Sequence, residues 1–240
     1  MLTRLEARGH TGLEMDLLRT RSVALELLDA EHVDPHDLAI NLREMAMLNR
    51  LPGGVSDSVR AVDRLLGDQT AATVLDVGTG FGDFVRRLLR RRHVEVIAVD
   101  VRFEVLDVAR RNLAGISNVS LIEADARHLP LGDGEVDVAH ASMLLHHLDP
   151  DDAIAALAEM RRVARLGVVI NDLRRGLVAF AMISAAVLAL SRGRYTRHDG
   201  VLSARRAYTV AETDTLAARA GLSVVSRSPR FWPRVTTVYR

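Results

Sequence analysis

Residues 74–83, VLDVGTGFGD, restrict the fold of this chain more than any other segment. An apolar strand carrying one acid, Asp76, runs into a turn with glycine at 78, 80 and 82, and a helix opens near Phe81. A strand, glycine turn and helix in this order belong to open α/β sheets, where the bare turn lets a ligand approach backbone at the strand ends. The next strand, residues 94–100, finishes in a second acid, Asp100, twenty residues beyond Gly80. A carboxylate there can accept both hydroxyls of a ribose lying over the turn.

The spacing also separates one nucleotide ligand from another. A dinucleotide turn has glycine at its first, third and sixth places, and counted from Gly78 the sixth place is Asp83. A carboxylate at a helix N-terminus repels a pyrophosphate. Asp76 is as awkward for a phosphate but suits the cationic amino group of a methionine moiety. On these residues the chain resembles the class I S-adenosylmethionine-dependent methyltransferases, over residues 74–173 and more loosely to residue 240. The resemblance implies a seven-stranded, mostly parallel, Rossmann-like sheet ending in an antiparallel hairpin, with S-adenosyl-L-methionine as cofactor. It places cofactor contacts at Asp76, Gly78, Thr79, Gly80, Asp100 and Val101. It further implies that Asp125 takes the adenine amine, that the Ala126 N–H meets the ring, and that His140, Ala141 and Ser142 flank the methionine end. Arg43 and Asn49, from the segment before the turn, are expected to reach the cofactor carboxylate.

Alternation of strand and helix patterns supports a doubly wound α/β sheet. Strands are expected at residues 73–77, 94–99, 119–123, 136–140 and 167–171, with helices at 82–91, 102–114 and 150–164 between them. A helix over 210–220, capped by Thr209 and stopped at Gly221, precedes two last strands at 223–227 and 235–239. Ahead of the turn, apolar spacing predicts helices at 13–28 and 38–48, and a third opens at Ser56 and stops at Gly67. The division expected is an N-terminal helical cap, residues 1–68, and a methyltransferase domain, 69–240, with a helical insertion at about 174–207.

Composition narrows the function classes. All 32 basic residues are arginine and they face 31 acids, a net charge of +1 without the basic footprint of a nucleic-acid binder. With no cysteine there is no disulfide framework, thiol nucleophile or cysteine metal site. No secretory pattern opens the chain, and the apolar run 176–190 is shorter than the ~20 residues a spanning helix needs. A cytoplasmic protein is therefore expected, with transient membrane contact open and homodimerisation possible.

The fourth strand leads to Met143-Leu144-Leu145-His146-His147-Leu148. An imidazole beside the donated methyl can draw a proton from an acceptor hydroxyl, or it can simply fix a short helix, so His146 and His147 carry both readings. His198, next to Asp199, is a further candidate base. No metal is expected: adjacent histidines on a regular helix point apart, and Asp172 alone does not make a magnesium site. The run 176–190 is read as the wall of an apolar pocket or as cap packing, and Arg205, Arg206 and Tyr208 as candidate contacts to acceptor oxygens. The stretches 171–174 and 197–208 resemble bacterial methyltransferases of natural-product and polyketide loci. That implies a small lipophilic hydroxylated aromatic acceptor, O-methylated. A quinone-type C-methyltransferase and a non-catalytic cofactor-binding partner subunit are the alternatives.

Overall fold

The computed structural model describes residues 18–29, 33–229 and 232–240. Helices α1 (Pro35–Leu48) and α2 (Val55–Leu66) precede the sheet. There follow β1 (Thr73–Val77), α3 (Asp83–Leu89), β2 (Glu95–Asp100), α4 (Phe103–Asn112), β3 (Val119–Glu123), β4 (Val136–Ser142), α5 (Pro150–Val163) and β5 (Ala164–Leu173). The chain closes with α6 (Leu177–Leu190), α7 (Arg194–Arg206), α8 (Val210–Arg219), β6 (Val224–Arg227) and β7 (Arg234–Tyr239).

The seven strands lie in the order β3-β2-β1-β4-β5-β7-β6. The first five are parallel, and β7 runs antiparallel to both β5 and β6. This is the seven-stranded sheet with a terminal hairpin that the motifs imply. Because β1 pairs with β2 on one side and β4 on the other, its carboxyl end is the switch point where such sheets open a crevice.

Side-chain alternation along the strands divides the core into two layers. Leu75, Val77, Ala139 and Ala141 pack with Leu157 and Met160 of α5 and Leu216 of α8. Val74, Val96 and Val138 pack on the opposite face with Val59 and Val62 of α2 and Phe84 and Leu88 of α3. α8 begins with a reciprocal cap, Thr209 Oγ1 accepting from Glu212 N and Glu212 accepting from Thr209 N, as the Thr209 signal predicts.

One expectation needs correction. The helix predicted over 13–28 is not formed in its described part: residues 21–26 are irregular and only Leu27–Asp29 make a 3-10 turn. Residues 13–17 lie outside the described residues. Tertiary partners replace the helical bonds there, since Asp199 accepts from the N–H of Leu27 and Leu28 at 2.8 and 3.0 Å. Residues 18–29 form a strap instead. Of the two readings of the run 176–190, packing is the one formed: Ala179, Ile183 and Val187 of α6 are buried with Ala204 and Ala207 at the end of α7, and Leu48 of the cap helix α1 packs against the same cluster. A side chain at Gly200 would place Cβ 2.8 Å from Val187, so its bareness lets the two helices close.

Candidate functional site

Each acid read from the sequence sits at the carboxyl end of a strand, beside the switch point. Gly78 and Thr79 donate their N–H groups to Val99 O, both at 2.9 Å, which holds the turn against the end of β2. Gly80 has φ +54° and only Leu42 approaches the place of a Cβ, so its backbone borders open space. Asp76 is buried, its carboxylate bonded to His140 Nδ1 at 2.7 Å and to the Thr79 hydroxyl at 2.8 Å.

Asp100 accepts from Gly80 N and Arg102 N, both at 3.2 Å. Burial pushes its pKa above the usual aspartate value, against the opposing effect of those bonds. Burial raises Asp83 likewise, although Asn49 Nδ2 donates to it at 3.2 Å. The Asp125 carboxylate is forked by Arg127, whose hydrogen bonds draw its pKa below the usual range.

These groups border one end of a cavity of about 460 Å³, within the range of small-molecule sites. Asp76, Gly78, Gly80, Asp100, Val101 and Asp125 line that end, together with Thr79, Ala126 and Asn49. Leu28, Leu42, Met45 and Leu144 add apolar wall. At the other end stand His146, His147, Glu26 and Ser203. The glycine turn, buried acids and open backbone at Gly80 fit an adenosine ligand with a cationic amino group, and the apolar walls fit a small organic acceptor.

The two histidines sit on the 3-10 turn Leu145–His147. Contrary to the regular-helix expectation their rings do not diverge: the centroids are 4.2 Å apart and tilted by 37°, with His146 turned to Asp172 and His147 turned to Glu26 and Asp29. His146 is 1% exposed and its Nδ1 donates to Asp172 Oδ1 at 2.6 Å, while Nε2 has no partner among the described residues. His147 Nδ1 lies 3.6 Å from both Glu26 Oε2 and Asp29 Oδ1. Burial works against the imidazolium, but the bond to Asp29 and both acidic charges outweigh it and hold the His147 pKa above its ordinary value.

Two arginines clamp this turn. Arg21 of the strap bonds the carbonyls of His146 and Leu148, both at 2.8 Å. Arg206 of α7 bonds those of His146 and His147 and pairs with Asp29 at 2.5 Å. Arg102 Nη1, just past the ribose acid, holds Leu28 O at 2.6 Å. The strap is thereby tied to both ends of the cavity.

Several sequence-based assignments move. His140 and Ala141 stand behind the cavity wall: strand alternation turns His140 onto Phe84, with ring centroids 3.6 Å apart, and only Ser142 reaches the lining. Arg43 is exposed and off the lining, whereas Asn49 is on it. His198 bonds Asp199 at 2.7 Å but its half-exposed ring lies outside the lining. Arg206 and Tyr208 hold backbone carbonyls rather than facing the cavity, and with Arg205 they are off the lining. No residue of the run 176–190 lines it either.

Sequence reasoning missed Glu26, Asp29, Arg21 and the Asp172–His146 bond. Their one local signal was the acidic pair Glu26 and Asp29 inside an otherwise apolar stretch. Arg234 was also missed: buried, it bonds Asn171 Oδ1 at 3.0 Å and the Ser142 hydroxyl at 2.8 Å.

Comparison with known proteins agrees with this geometry. Residues 74–167 match the methyltransferase domain family. Over 112 residues the chain is 38% identical to an uncharacterized methyltransferase of Mycobacterium tuberculosis, 46% of this chain and 44% of that one. It is 32% identical over 106 residues to the ubiquinone/menaquinone biosynthesis C-methyltransferase of Haemophilus ducreyi, 42% of this chain and 40% of that one. The chain thus spans less than half the length of these curated relatives. A SAM-dependent methyltransferase of Aquifex aeolicus superposes with TM-score 0.60 at 20% identity, covering 87% of this chain and 98% of that one.

Proposed function

As a member of the class I S-adenosylmethionine-dependent methyltransferases, this chain, we propose, methylates an oxygen of a small lipophilic hydroxylated aromatic or polyketide-derived acceptor. The observation that carries the reading is the single cavity, with the glycine turn and its acids at one end and the His146–His147 turn at the other. When bound, S-adenosylmethionine supplies an electrophilic methyl group on a sulfonium.

The remaining work falls to residues of the chain. Asp100 would accept the ribose hydroxyls, Asp76 would face the methionine amino group through its buried carboxylate, and Asp125 with Ala126 would meet the adenine. Leu28, Leu42, Met45 and Leu144 would exclude water and favour an apolar acceptor. His146 and His147 are the groups at the acceptor end that can draw the proton from a hydroxyl. On this reading the strap and α1 act as the cap over a methyltransferase domain that begins near residue 69.

C-methylation of a quinol is the second reading, supported by the name of the Haemophilus ducreyi relative. Incubation with labelled S-adenosylmethionine and a panel of alkyl phenols and quinols, read by mass spectrometry, tests both. Methyl on oxygen supports the first and methyl on ring carbon the second. Faster methylation of nucleotides or amino acids than of phenols contradicts both.

A further inference from the structure

We propose that Glu26, His146 and His147 form a binding site for a divalent transition-metal ion such as Zn²⁺, with its remaining coordination positions open to the cavity. One ligand atom from each residue lies within 4.8 Å of the other two. Two imidazole nitrogens and one carboxylate oxygen favour zinc and its first-row neighbours over magnesium or calcium, and three protein ligands leave room for a further one.

The state of each side chain points the same way. His146 has spent Nδ1 on Asp172 and keeps Nε2 buried without a partner among the described residues, an arrangement that costs free energy unless something engages that nitrogen. A carboxylate behind a histidine is also how ligating imidazoles are commonly oriented. Glu26 is 4% exposed, and its carboxylate accepts from the Ser203 hydroxyl at 2.7 Å. The Arg206 guanidinium is engaged by Asp29 and two carbonyls, and the Glu26 carboxylate faces the His147 ring, with Nδ1 3.6 Å away. A metal cation bridging that carboxylate and the His147 nitrogen would replace the proton the pair otherwise holds. His147 is a third exposed and lines the cavity, which gives an ion a way in.

An ion held here would pin the strap, which carries Glu26, to the turn after β4. With the ion bound, neither imidazole has a lone pair left for the acceptor's proton; the open position would do that work in their place, taking the acceptor oxygen and lowering the pKa of its hydroxyl, the proton passing to solvent. That last use rests on the proposed methyl transfer, whereas the ion site does not.

The test is zinc content by plasma mass spectrometry after dialysis, with affinity from competition against a chromophoric chelator. The expected result is one equivalent per chain, weakened at least about tenfold in Glu26→Gln and in His147→Ala, about tenfold in Ser203→Ala, and unchanged in His93→Ala. Should either ligand variant fail to fold, Co²⁺ added to the wild-type protein gives the reading: visible absorption well above that of the aquated ion supports the site, and its absence overturns it. Zinc binding undiminished in folded Glu26→Gln and His147→Ala also overturns it. Wild-type protein that binds S-adenosylhomocysteine but takes up no zinc overturns the metal site and leaves the methyl-transfer reading standing. Zinc uptake through Glu26 and His147 without S-adenosylhomocysteine binding does the reverse.

Discussion

Nδ1 of His146 donates to Oδ1 of Asp172 at 2.6 Å, so the turn that follows β4 is oriented by the end of β5. Asp172 also accepts from Leu145 N at 2.8 Å and Leu173 N at 2.7 Å. One carboxylate thus fixes both the backbone and the ring at the acceptor end. Replacing it with the isosteric amide, Asp172→Asn, removes the charge that orients the imidazole. The expected outcome is unfolding stability lower by roughly 1 to 3 kcal/mol and turnover lower by roughly tenfold or more, with S-adenosylhomocysteine affinity unchanged. Denaturant titration, steady-state kinetics and calorimetry read the three quantities separately.

Asp100 should make cofactor binding depend on pH. Its pKa is raised in the ligand-free fold by burial, while ribose hydroxyls donating to it favour the charged form, so binding releases a proton. Affinity for S-adenosylhomocysteine should be highest above the raised pKa and fall as pH drops through it. Stability runs the other way: a carboxyl with a raised folded pKa contributes stability below its unfolded pKa and loses it as pH rises through the folded one. Asp100→Asn should therefore raise the Tm of the ligand-free protein at neutral pH, weaken the ligand roughly tenfold or more, and abolish the proton release. Calorimetry in buffers of different ionisation enthalpy measures that release.

The strap offers a test of how the far end is held. Asp199 accepts from Leu27 N and Leu28 N, and Arg102 holds Leu28 O from the cofactor side. Asp199→Ala leaves those two N–H groups without their acceptor and should cost roughly 1 to 3 kcal/mol. Hydrogen exchange at residues 27–28 should rise well above that of β1 and β4, whose protection reports global unfolding. Equal exchange in variant and wild type would show that Asp199 does not hold the strap.

The cofactor end was legible in the sequence because its information is local. A glycine turn, an acid two residues before it and an acid twenty residues beyond Gly80 are fixed offsets within one strand–helix–strand unit. The strands 73–77 and 119–123 were read to the residue for the same reason, as short apolar runs between turn signals. The acceptor end was not legible. It is assembled from Glu26, His146, Asp172, Ser203 and Arg206, joined by bonds spanning up to 177 positions, and no periodicity encodes such meetings. The same distance misled the reading of residues 13–28, where apolar spacing suggested a helix but, in the described part, bonds through Asp199 and Arg21 hold an irregular strap. The run 176–190 stayed open between wall and packing for the same reason, since apolar and small residues serve helix packing against Gly200 as well as they would serve a pocket wall.

Asp83 should exclude dinucleotides. It lies at the first turn of α3, where a pyrophosphate would otherwise be drawn to the helix N-terminus, and Asn49 keeps it there. NADH should fail to displace S-adenosylhomocysteine at millimolar concentration in a fluorescence competition. Micromolar displacement would contradict the reading of the turn.

Calorimetric titration of S-adenosylhomocysteine into wild-type protein and folded Asp100→Ala tests whether the cavity at the end of β1 and β2 is an S-adenosylmethionine site. One site per chain is expected in the wild type and a loss of roughly 2 to 3 kcal/mol in the variant, since a charged acceptor for two hydroxyls is removed. Absence of binding to the wild type, or equal affinity in the two proteins, would contradict it.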